Sequence, residues 1–394
     1  MKTLADLGEL RGKRVLVRVD FNVPLDRSAG GVTVADDTRI RAAIPTLQAL
    51  LERGAALTLV SHLGRPRDRE PELSLRPVAD RLSELLGTPV TLAPAATGPE
   101  VSRLAESLRE GDLLLLENIR YEPGETKNDP ELADALAGLA EVYVNDAFGA
   151  AHRAHASTEG VARRVPERAA GLLLEREVTV LTELLSDPRR PLVAVLGGAK
   201  VSDKLGVIEV FLKLADQILI GGAMCFPFLK AQGHPIGESL CADEDVELAQ
   251  RVLDHESSAR ATLQLPGDLV IADRFSADAE PRELDGIDVP DGMMGLDVGR
   301  RTAEAYADEI ARAGTVFWNG PMGAFELAPF AAGTQAVAAA VADAPGITVV
   351  GGGDSAAALV QFGFEHRVTH LSTGGGAALE LIEGRELPGV VALA

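Results

Sequence analysis

Short apolar runs alternate with longer segments of helical spacing along this chain. Residues 14–19 form the first run, and residues 39–53 carry apolar side chains at helical spacing, broken only by Pro45. The same order repeats in residues 56–60 and 74–86. Strands that lack polar alternation are typical of parallel sheets covered by helices on both faces. The pattern therefore predicts an α/β fold built on doubly wound parallel sheets.

The alternation occurs in two series, which predicts two Rossmann-like domains. Further strands of the first series are predicted at residues 113–116 and 142–144. Strands of the second series are predicted at residues 192–196, 217–220, 268–272, 315–318 and 347–350. Residues 172–185 have the pattern of one amphipathic helix between the two series. Because 394 residues suffice for at least two domains, we assign residues 1–171 and 191–378 to them, joined by a helix and hinge at 172–190.

Charge and cysteine content exclude several classes of protein. The chain has 38 Lys and Arg against 59 Asp and Glu, a net charge of −21, which argues against nucleic acid or an anionic membrane as a partner. Its two cysteines, Cys225 and Cys241, have no metal-site spacing and argue against a disulfide framework. The charged first 20 residues do not resemble a signal peptide, and no apolar run is long enough to span a membrane. We therefore expect a cytoplasmic protein.

Cationic side chains follow the predicted strands of the first series. They are Arg39, His62, Arg65, Arg120 and Arg153. The carboxyl ends of parallel strands are where open α/β sheets bind ligands, and arginine forks bind phosphate and carboxylate groups. The set predicts a cleft for a small polyanion, in which Asp20 and Asn22, on one side of an extended chain, hold a hydroxyl. His152 and His155 have a spacing seen in metal sites, but without nearby ligands we interpret them as locally packed residues.

Glycine clusters follow the strands of the second series. They lie at residues 197–198, 221–222, 320–323, 351–353 and 374–376. Glycine lets backbone amides approach a phosphate closely, and helix N-termini favour anions. Five clusters in one domain indicate a nucleotide site, although neither the Walker pattern nor GxGxxG is present.

Three charged residues beside these clusters are candidates for phosphate and metal binding. Lys200 and Lys204 are four residues apart and share one face if a helix begins there, so we expect both to contact phosphate. Asp354 follows three glycines and is suited to hold Mg²⁺ on nucleotide phosphates. The alternative is that Asp354 or Ser355 caps the next helix.

In nine segments the chain resembles the phosphoglycerate kinase family. They are RVDFNVP, SHLGRP, ENIRYEPGETKND, NDAFGAAHRAH, LGGAKVSDK, ADRFSADA, FWNGPMGAFE, GGGDS and STGGGA, in this order. The resemblance extends from Val15 to Gly389. It implies a phosphotransferase with a carboxyl group as acceptor, which moves a phosphoryl group reversibly between 1,3-bisphosphoglycerate and ADP to give 3-phosphoglycerate and ATP.

The resemblance also implies an arrangement of the chain. The first domain would bind the phosphoglycerate and the second Mg-ADP or Mg-ATP. Residues 379–394 would return to the first domain, and the enzyme would be a monomer. Because the two substrates would lie on different domains, we expect closure about hinges near residues 185–191 and near the C-terminal return. Because the acceptor is already ionised, transfer needs positioning and charge neutralisation rather than a general base.

Carried over residue by residue, the resemblance implies three groups of site residues. Substrate would be bound by Asp20, Phe21, Asn22, Arg39, His62, Leu63, Gly64, Arg65, Arg120 and Arg153. Nucleotide would be bound by Lys204, Gly221, Gly222, Gly295, Glu326, Gly352, Gly353, Asp354 and Ser355, with Glu326 at the ribose and Asp354 at Mg²⁺. The transferred phosphoryl group would be surrounded by Arg39, Lys200, Lys204, Gly374 and Gly375.

The sequence departs from the family's usual pattern near the expected nucleotide site. Ala223 stands where a third glycine is usual, Met293 where Trp is common, and Arg300 where Pro is common. Ala150 replaces a frequent Thr beside the substrate segment. The departures at Ala223, Met293 and Arg300 bear on nucleotide preference and not on the chemistry. Two other functions fit the residues themselves: a kinase for a different small carboxylate, and a nucleotide-binding regulator that kept the fold.

Overall fold

The computed structural model describes residues 1–28, 31–256 and 259–394. The chain divides into two compact units, one made of Met1–Thr179 with Gly384–Ala394 and the other of Val180–Glu383. Each unit contains a six-stranded parallel sheet. The predicted α/β class with two parallel sheets is confirmed. No helix in the described part of the chain is both long and apolar enough to cross a membrane.

The first unit is built on the sheet with strand order β5-β6-β4-β1-β7-β8. Its strands are β1 Arg14–Arg18, β4 Ala56–Val60, β5 Val90–Leu92, β6 Leu113–Leu115, β7 Val142–Asn145 and β8 Glu167–Ala170, with a small hairpin of β2 Leu25–Asp26 and β3 Thr33–Val34. Its helices are α1 Thr38–Glu52, α2 Arg76–Leu86, α3 Pro99–Ser107, α4 Pro130–Ala137 and α5 Leu172–Ser186, which continues into the second unit. Strands β4, β5 and β6 lie on one side of β1, and β7 and β8 lie on its other side, so the strand order reverses at β1.

The second unit repeats this plan with strand order β11-β10-β9-β15-β16-β17. Its strands are β9 Leu192–Leu196, β10 Gln217–Ile220, β11 Thr262–Gln264, β12 Leu269–Ala272, β13 Arg282–Leu284, β14 Met294–Val298, β15 Thr315–Asn319, β16 Ile347–Gly351 and β17 His370–Leu371. Its helices are α6 Leu205–Leu214, α7 Cys225–Ala231, α8 Asp243–Glu256, α9 Arg300–Ala311, α10 Ala332–Asp343, α11 Gly353–Phe362 and α12 Gly376–Ile382. Here the order reverses at β9, between β10 and β15.

The central strands are buried because both faces of each sheet are covered. Every residue of β4, β9 and β15 is buried, as the absence of polar alternation predicted. In each sheet the loops at the point of reversal leave a crevice at the carboxyl ends of two adjacent parallel strands. This edge lies beyond β1 and β7 in the first unit and beyond β9 and β15 in the second.

One predicted strand belongs to a different sheet. Residues 268–272 were expected in the second parallel series, but β12 pairs antiparallel with β13 and β14. The connection between β12 and β13 contains no helix, so the chain turns back beside β12 instead of crossing over. The apolar run predicted the strand correctly but carried no information about its partners.

The end of the chain packs on the first unit. The final helix, α13 Pro388–Val391, lies against the π turn Ala156–Gly160. The amide of Gly389 donates a 2.9 Å hydrogen bond to the carbonyl of Ala151, and the amide of Lys2 donates a 3.1 Å bond to that of Leu393. Residues 384–394 are therefore part of the first unit's structure.

Candidate active site

The loops after β1, β4 and β6 are tied to one another at the sheet edge of the first unit. The side-chain oxygen of Asn22 accepts a 2.8 Å hydrogen bond from the amide of Gly64, whose carbonyl accepts one from Arg120. Leu63 is held on both sides by Asn118, through bonds of 3.1 and 2.8 Å. Three separate strand ends thus form one continuous surface, as their place in the sheet requires.

A carboxylate and an arginine lie at the end of β1. Arg39, in the first turn of α1, donates a 2.8 Å hydrogen bond to Asp20, while Phe21 points into the core and is fully buried. The imidazole Nδ1 of His62 lies 4.0 Å from Asp20. Burial alone would raise the pKa of Asp20, but the surrounding cations lower it. Asp20 is therefore an ionised acceptor beside the predicted anion ligands.

Three predicted arginines line a single cavity of about 440 Å³ in the first unit. They are Arg65, Arg120 and Arg153. Burial and the neighbouring charges of Arg153, Arg18 and Arg65 lower the pKa of Arg120, which shows that like charges are crowded there. Although Asp68 and Glu122 also line the cavity, its three arginines make it a candidate for phosphate or carboxylate binding.

One cation at this site was not predicted. Arg18 lies inside β1 and is only 1% exposed. Its Nη2 lies 3.1 Å from Nδ1 of His62, and its Nε donates a 2.8 Å bond to Ser157. The available signal was an arginine within an apolar run of the sequence. The partners of this side chain could not be read from that run, because Ser157 is far away along the chain.

The two histidines with metal-like spacing make different contacts. Nε2 of His152 accepts a 3.0 Å hydrogen bond from Arg153, and Nδ1 of His155 lies 3.6 Å from Glu125. Within the described residues, no three His, Cys, Asp or Glu side chains form a group that would hold a metal by themselves. His152 therefore helps to orient a predicted substrate ligand.

In the second unit, Lys204 lies where the strand order reverses. Its Nζ donates hydrogen bonds of 2.5 Å to the carbonyl of Gly197 and 2.8 Å to that of Asn319, at the ends of β9 and β15. Burial lowers the pKa of Lys204 to about 8, opposed by the charges of Asp354 and Asp203. The ammonium group is therefore poorly solvated and available to an anion.

Lys200 and Lys204 would share one face only if a helix began at Lys200, and no helix begins there. Helix α6 begins at Leu205, with Lys204 as its N-cap residue, and Lys200 lies in the preceding loop with its side chain exposed. Residues 201–204 form a turn instead, in which the amide of residue 204 donates a hydrogen bond to the carbonyl of residue 201. The predicted role of Lys200 at the phosphoryl group therefore stays a prediction.

A predominantly apolar cavity of about 670 Å³ lies beside Lys204. Four of the predicted nucleotide ligands line it: Gly222, Gly295, Glu326 and Asp354. Leu240 and Phe275 also line it, although 61% and 58% of their surfaces are exposed. A large apolar cavity with a few polar groups at its edges is typical of a small-molecule site.

Several of the predicted glycines are required by packing between loops. A Cβ on Gly197 would lie 2.0 Å from the carbonyl oxygen of Pro321, and one on Gly222 would lie 2.6 Å from the amide of Gly198. Gly221 is closed off by Met322 in the same way. A Cβ on Gly353, by contrast, would meet no atom within 4 Å. Gly375, at the start of α12, is open in the same way, so the space for a ligand lies at these two helix starts and not between the packed loops.

Neither Asp354 nor Ser355 caps α11, contrary to the alternative interpretation. The helix begins at Gly353 with Gly352 as its N-cap residue, so both residues lie in its first turn. Ser355 is buried and accepts a 2.6 Å bond from the amide of Gly320, which holds two of the glycine loops together. Asp354 is exposed at the cavity, where its charge acts on Lys204.

A carboxyl group that was not predicted also lines this cavity. Asp297, in β14, accepts hydrogen bonds of 2.7 Å from the amide of Gly333 and 2.9 Å from that of Val298. Burial raises its pKa to about 7. It joins the cavity wall to the start of α10. The glycine loop at residues 374–376 lies elsewhere, at the start of α12, where the amide of Gly374 donates to Ser372.

The family model for phosphoglycerate kinase matches residues 4–385. This chain belongs to the phosphoglycerate kinase family. It is 56% identical to the phosphoglycerate kinase of Rubrobacter xylanophilus, across 100% of this chain and 98% of that protein. It is 53% identical to that of Herpetosiphon aurantiacus, across 97% of this chain and 96% of the relative.

Solved structures of phosphoglycerate kinases have the same fold. That from Coxiella burnetii is 41% identical, with a TM-score of 0.88 and coverage of 99% and 98% of the two chains. That from Pyrococcus horikoshii is 33% identical, with a TM-score of 0.82 and coverage of 100% and 98%. The resemblance seen in the nine segments is confirmed. The chain is a kinase of this family, an enzyme that transfers a phosphoryl group between 1,3-bisphosphoglycerate and ADP.

Proposed function

We propose that the first unit binds the phosphoglycerate and the second unit binds the nucleotide of this reaction. The observation that carries the proposal is the crowding of Arg65, Arg120 and Arg153 around one cavity, where burial and like charges lower the pKa of Arg120. A ligand with a phosphate and a carboxylate relieves this repulsion through two-pronged hydrogen bonds. Phosphoglycerate has both groups.

The residues at the end of β1 complete this substrate site. Asp20 accepts a hydrogen bond from the substrate hydroxyl, and the ion pair with Arg39 fixes the carboxylate in place. His62 contacts the substrate, and Asn22, Leu63 and Gly64 shape the loop that carries it. Arg39 has a further role in stabilising negative charge on the moving phosphoryl group.

The cavity of about 670 Å³ takes the nucleotide, with the base against its apolar wall and Glu326 at the ribose. Gly295 and Gly222 allow the ligand to lie against the backbone. The phosphates extend past Gly352 and Gly353 towards Lys204. Lys200, Lys204 and the loop of Gly374 and Gly375 neutralise charge around the transferred group.

Asp354 fits a role in holding Mg²⁺. A single exposed carboxylate beside a phosphate-binding loop is the donor set that Mg²⁺ uses on nucleotides, where phosphates and water supply its other ligands. The absence of a closed cluster of metal-binding side chains among the described residues agrees with this, since the nucleotide brings most of the ligands. When bound, the ion neutralises phosphate charge.

In-line transfer requires the two substrates to meet with water excluded. We therefore propose that ligand binding closes the enzyme about residues 185–191, in a monomer located in the cytoplasm. Small-angle scattering with both substrates should give a smaller radius of gyration than with either one. An unchanged radius would contradict the proposed closure.

The first experiment is a coupled assay with 3-phosphoglycerate and Mg-ATP, following NADH consumption through glyceraldehyde-3-phosphate dehydrogenase. Wild-type turnover that is lost in Lys200→Ala, with the fold retained, would support the reaction and the role of that lysine. A folded, nucleotide-binding wild type without turnover would contradict the proposal. Other small carboxylates would then be tried as acceptors.

A further inference from the structure

Three buried polar side chains connect His62 to the π turn Ala156–Gly160. They are Arg18, Ser157 and Glu125, each 1% exposed or less. Arg18 Nε donates a 2.8 Å hydrogen bond to Ser157 Oγ, and Ser157 Oγ donates a 2.6 Å bond to Glu125 Oε1. The amide of Ser157 donates a 3.0 Å bond to the other oxygen of Glu125. No water-exposed group takes part in this series.

The direction of every hydrogen bond in the series is fixed. A guanidinium group only donates, so Ser157 must accept from Arg18, and its own proton is directed to Glu125. Burial by itself would raise the pKa of Glu125, but the nearby His155, the charge of Arg18 and the bonds from Ser157 lower it. The buried cation and the buried carboxylate therefore compensate each other through one hydroxyl group.

The same rule fixes the state of His62. Arg18 Nη2 lies 3.1 Å from Nδ1 of His62, and because the guanidinium is a donor, Nδ1 must be unprotonated. The imidazole is therefore neutral, with its proton on Nε2. Burial and the charge of Arg18 lower the pKa of His62 well below its usual value, and Arg120 and Arg39 act in the same direction. Asp20 opposes them but lies 4.0 Å from Nδ1, beyond hydrogen-bond distance.

We propose that Glu125 and Ser157 are positioning residues, which hold Arg18 against His62 and thereby keep the imidazole neutral with Nε2–H available to the substrate. The inference rests on the proposed role of His62 in binding phosphoglycerate. Without Glu125, Arg18 would be a buried cation lacking its partner and would leave this position for water. His62 would lose its hydrogen-bond donor, and the nearby carboxylate of Asp20 would then favour protonation of the imidazole.

The test uses the full chain and two readouts. Nitrogen-15 NMR of the histidine rings, with the His62 signal assigned by its loss in His62→Gln, reports tautomer and titration from pH 5 to 8.5. Steady-state kinetics report the KM for 3-phosphoglycerate at each pH. The variants are Glu125→Gln and Ser157→Ala. Asp268→Asn is the matched control, since Asp268 is also buried and accepts bonds from a hydroxyl and two amides, in the other unit.

In the wild type and in Asp268→Asn, we expect His62 to stay neutral through this range. In Glu125→Gln, its pKa should rise into the range, and the KM at pH 8 should rise roughly three- to tenfold, as for one lost hydrogen bond, with kcat largely retained. Ser157→Ala should change both readouts in the same direction but by a smaller amount. This variant keeps the charge of Glu125, so it can be used if Glu125→Gln does not fold.

An unchanged His62 titration in either folded variant would overturn the proposal. Such a result would mean that Arg18 stays against His62 without its buried partners. The role of His62 itself is tested separately. If His62→Gln leaves the KM for 3-phosphoglycerate unchanged, the proposed substrate contact is wrong, while the NMR titration still tests the positioning of the ring.

Discussion

The ammonium nitrogen of Lys204 lies 2.5 Å from the carbonyl oxygen of Gly197, at the end of the first strand of the second sheet. A backbone carbonyl is a neutral acceptor, so the cation is held in place without being neutralised. Such a group binds an incoming phosphate at little cost in reorganisation.

This arrangement predicts a pH dependence of nucleotide binding. Burial lowers the pKa of Lys204 to about 8, so the ammonium loses its proton as the pH rises through that value. Affinity for Mg-ADP should therefore fall above about pH 8. Because bound phosphate raises the lysine pKa again, binding at pH 8.5 should take up protons. Calorimetry in two buffers of different ionisation enthalpy measures this uptake, and Lys204→Met should abolish it. Equal apparent enthalpies in the wild type would contradict the assignment.

Arg120 should contribute to substrate affinity in a way that Lys cannot replace. It is half-buried and both donates to Gly64 and lines the cationic cavity, which requires the fork of a guanidinium group. Arg120→Lys should raise the KM for 3-phosphoglycerate by roughly ten- to hundredfold, the range for a charged hydrogen bond, and leave the KM for ATP unchanged. Arg67→Met, at the exposed rim of the same cavity, is the control. Equal effects of the two variants would indicate that Arg120 acts through the overall positive potential of the cavity and not through a specific contact with the substrate.

Asp354 should determine the preference for the magnesium complex of the nucleotide. In Asp354→Asn, affinity for Mg-ADP should fall towards that for free ADP, because the amide is a weaker ligand for Mg²⁺. Equilibrium binding measurements with and without Mg²⁺ give the ratio of the affinities for Mg-ADP and free ADP directly. Asp203→Asn provides a matched control, since both carboxylates act on Lys204 and the cavity includes only Asp354. A preserved ratio in Asp354→Asn would exclude Asp354 as a magnesium ligand.

Asp297 should make the protein more stable as the pH is lowered towards 5. Burial raises its pKa in the folded state to about 7 from an ordinary value of 3.8. The folded protein therefore binds the proton more tightly, and this contribution is fully present below about pH 4 and lost as the pH rises through 7. Each unit of difference corresponds to about 1.36 kcal/mol. Urea unfolding midpoints between pH 5 and 8 should thus decrease with pH in the wild type and vary less in Asp297→Asn. If the unfolding midpoints of the wild type and of Asp297→Asn changed equally with pH, Asp297 would not titrate in this range.

Two glycines of the nucleotide loops should respond differently to alanine. Gly197→Ala places a methyl group 2.0 Å from a rigid carbonyl, so we expect lower thermal stability together with weak nucleotide binding. Gly353→Ala meets open space, so the melting temperature should stay close to that of the wild type while nucleotide affinity falls. Thermal melts with and without Mg-ADP distinguish the two. A large loss of stability in Gly353→Ala would mean that this glycine has a packing role.

The sequence predicted the features that depend on local periodicity. Buried strands such as β4 and β9 followed from apolar runs, and the strand ends indicated where His62, Arg120 and Lys204 should lie. The partners of β12 could not be predicted, because an apolar run does not specify the direction of its neighbours. The start of α6 was also missed, since a turn at residues 201–204 competes with the helix there.

The buried polar groups were the least predictable part of the site. Arg18 is stabilised by Ser157, which is 139 residues later in the chain, and by Glu125 through that serine. The apolar run around Arg18 was a local signal of burial, but it carried no information about these distant partners. Glycine clusters suggested phosphate loops, but the packing of Gly197 against Pro321 shows that part of this signal came from contacts between the loops themselves.

The packing of residues 384–394 on the first unit has a consequence for synthesis on the ribosome. All of the second unit, Val180–Glu383, emerges before this segment does. Helix α13 covers the turn that contains Ser157, so this turn lacks a packing partner until residues 384–394 have been made. The unit that is begun first is therefore completed only after the whole of the second unit has been made.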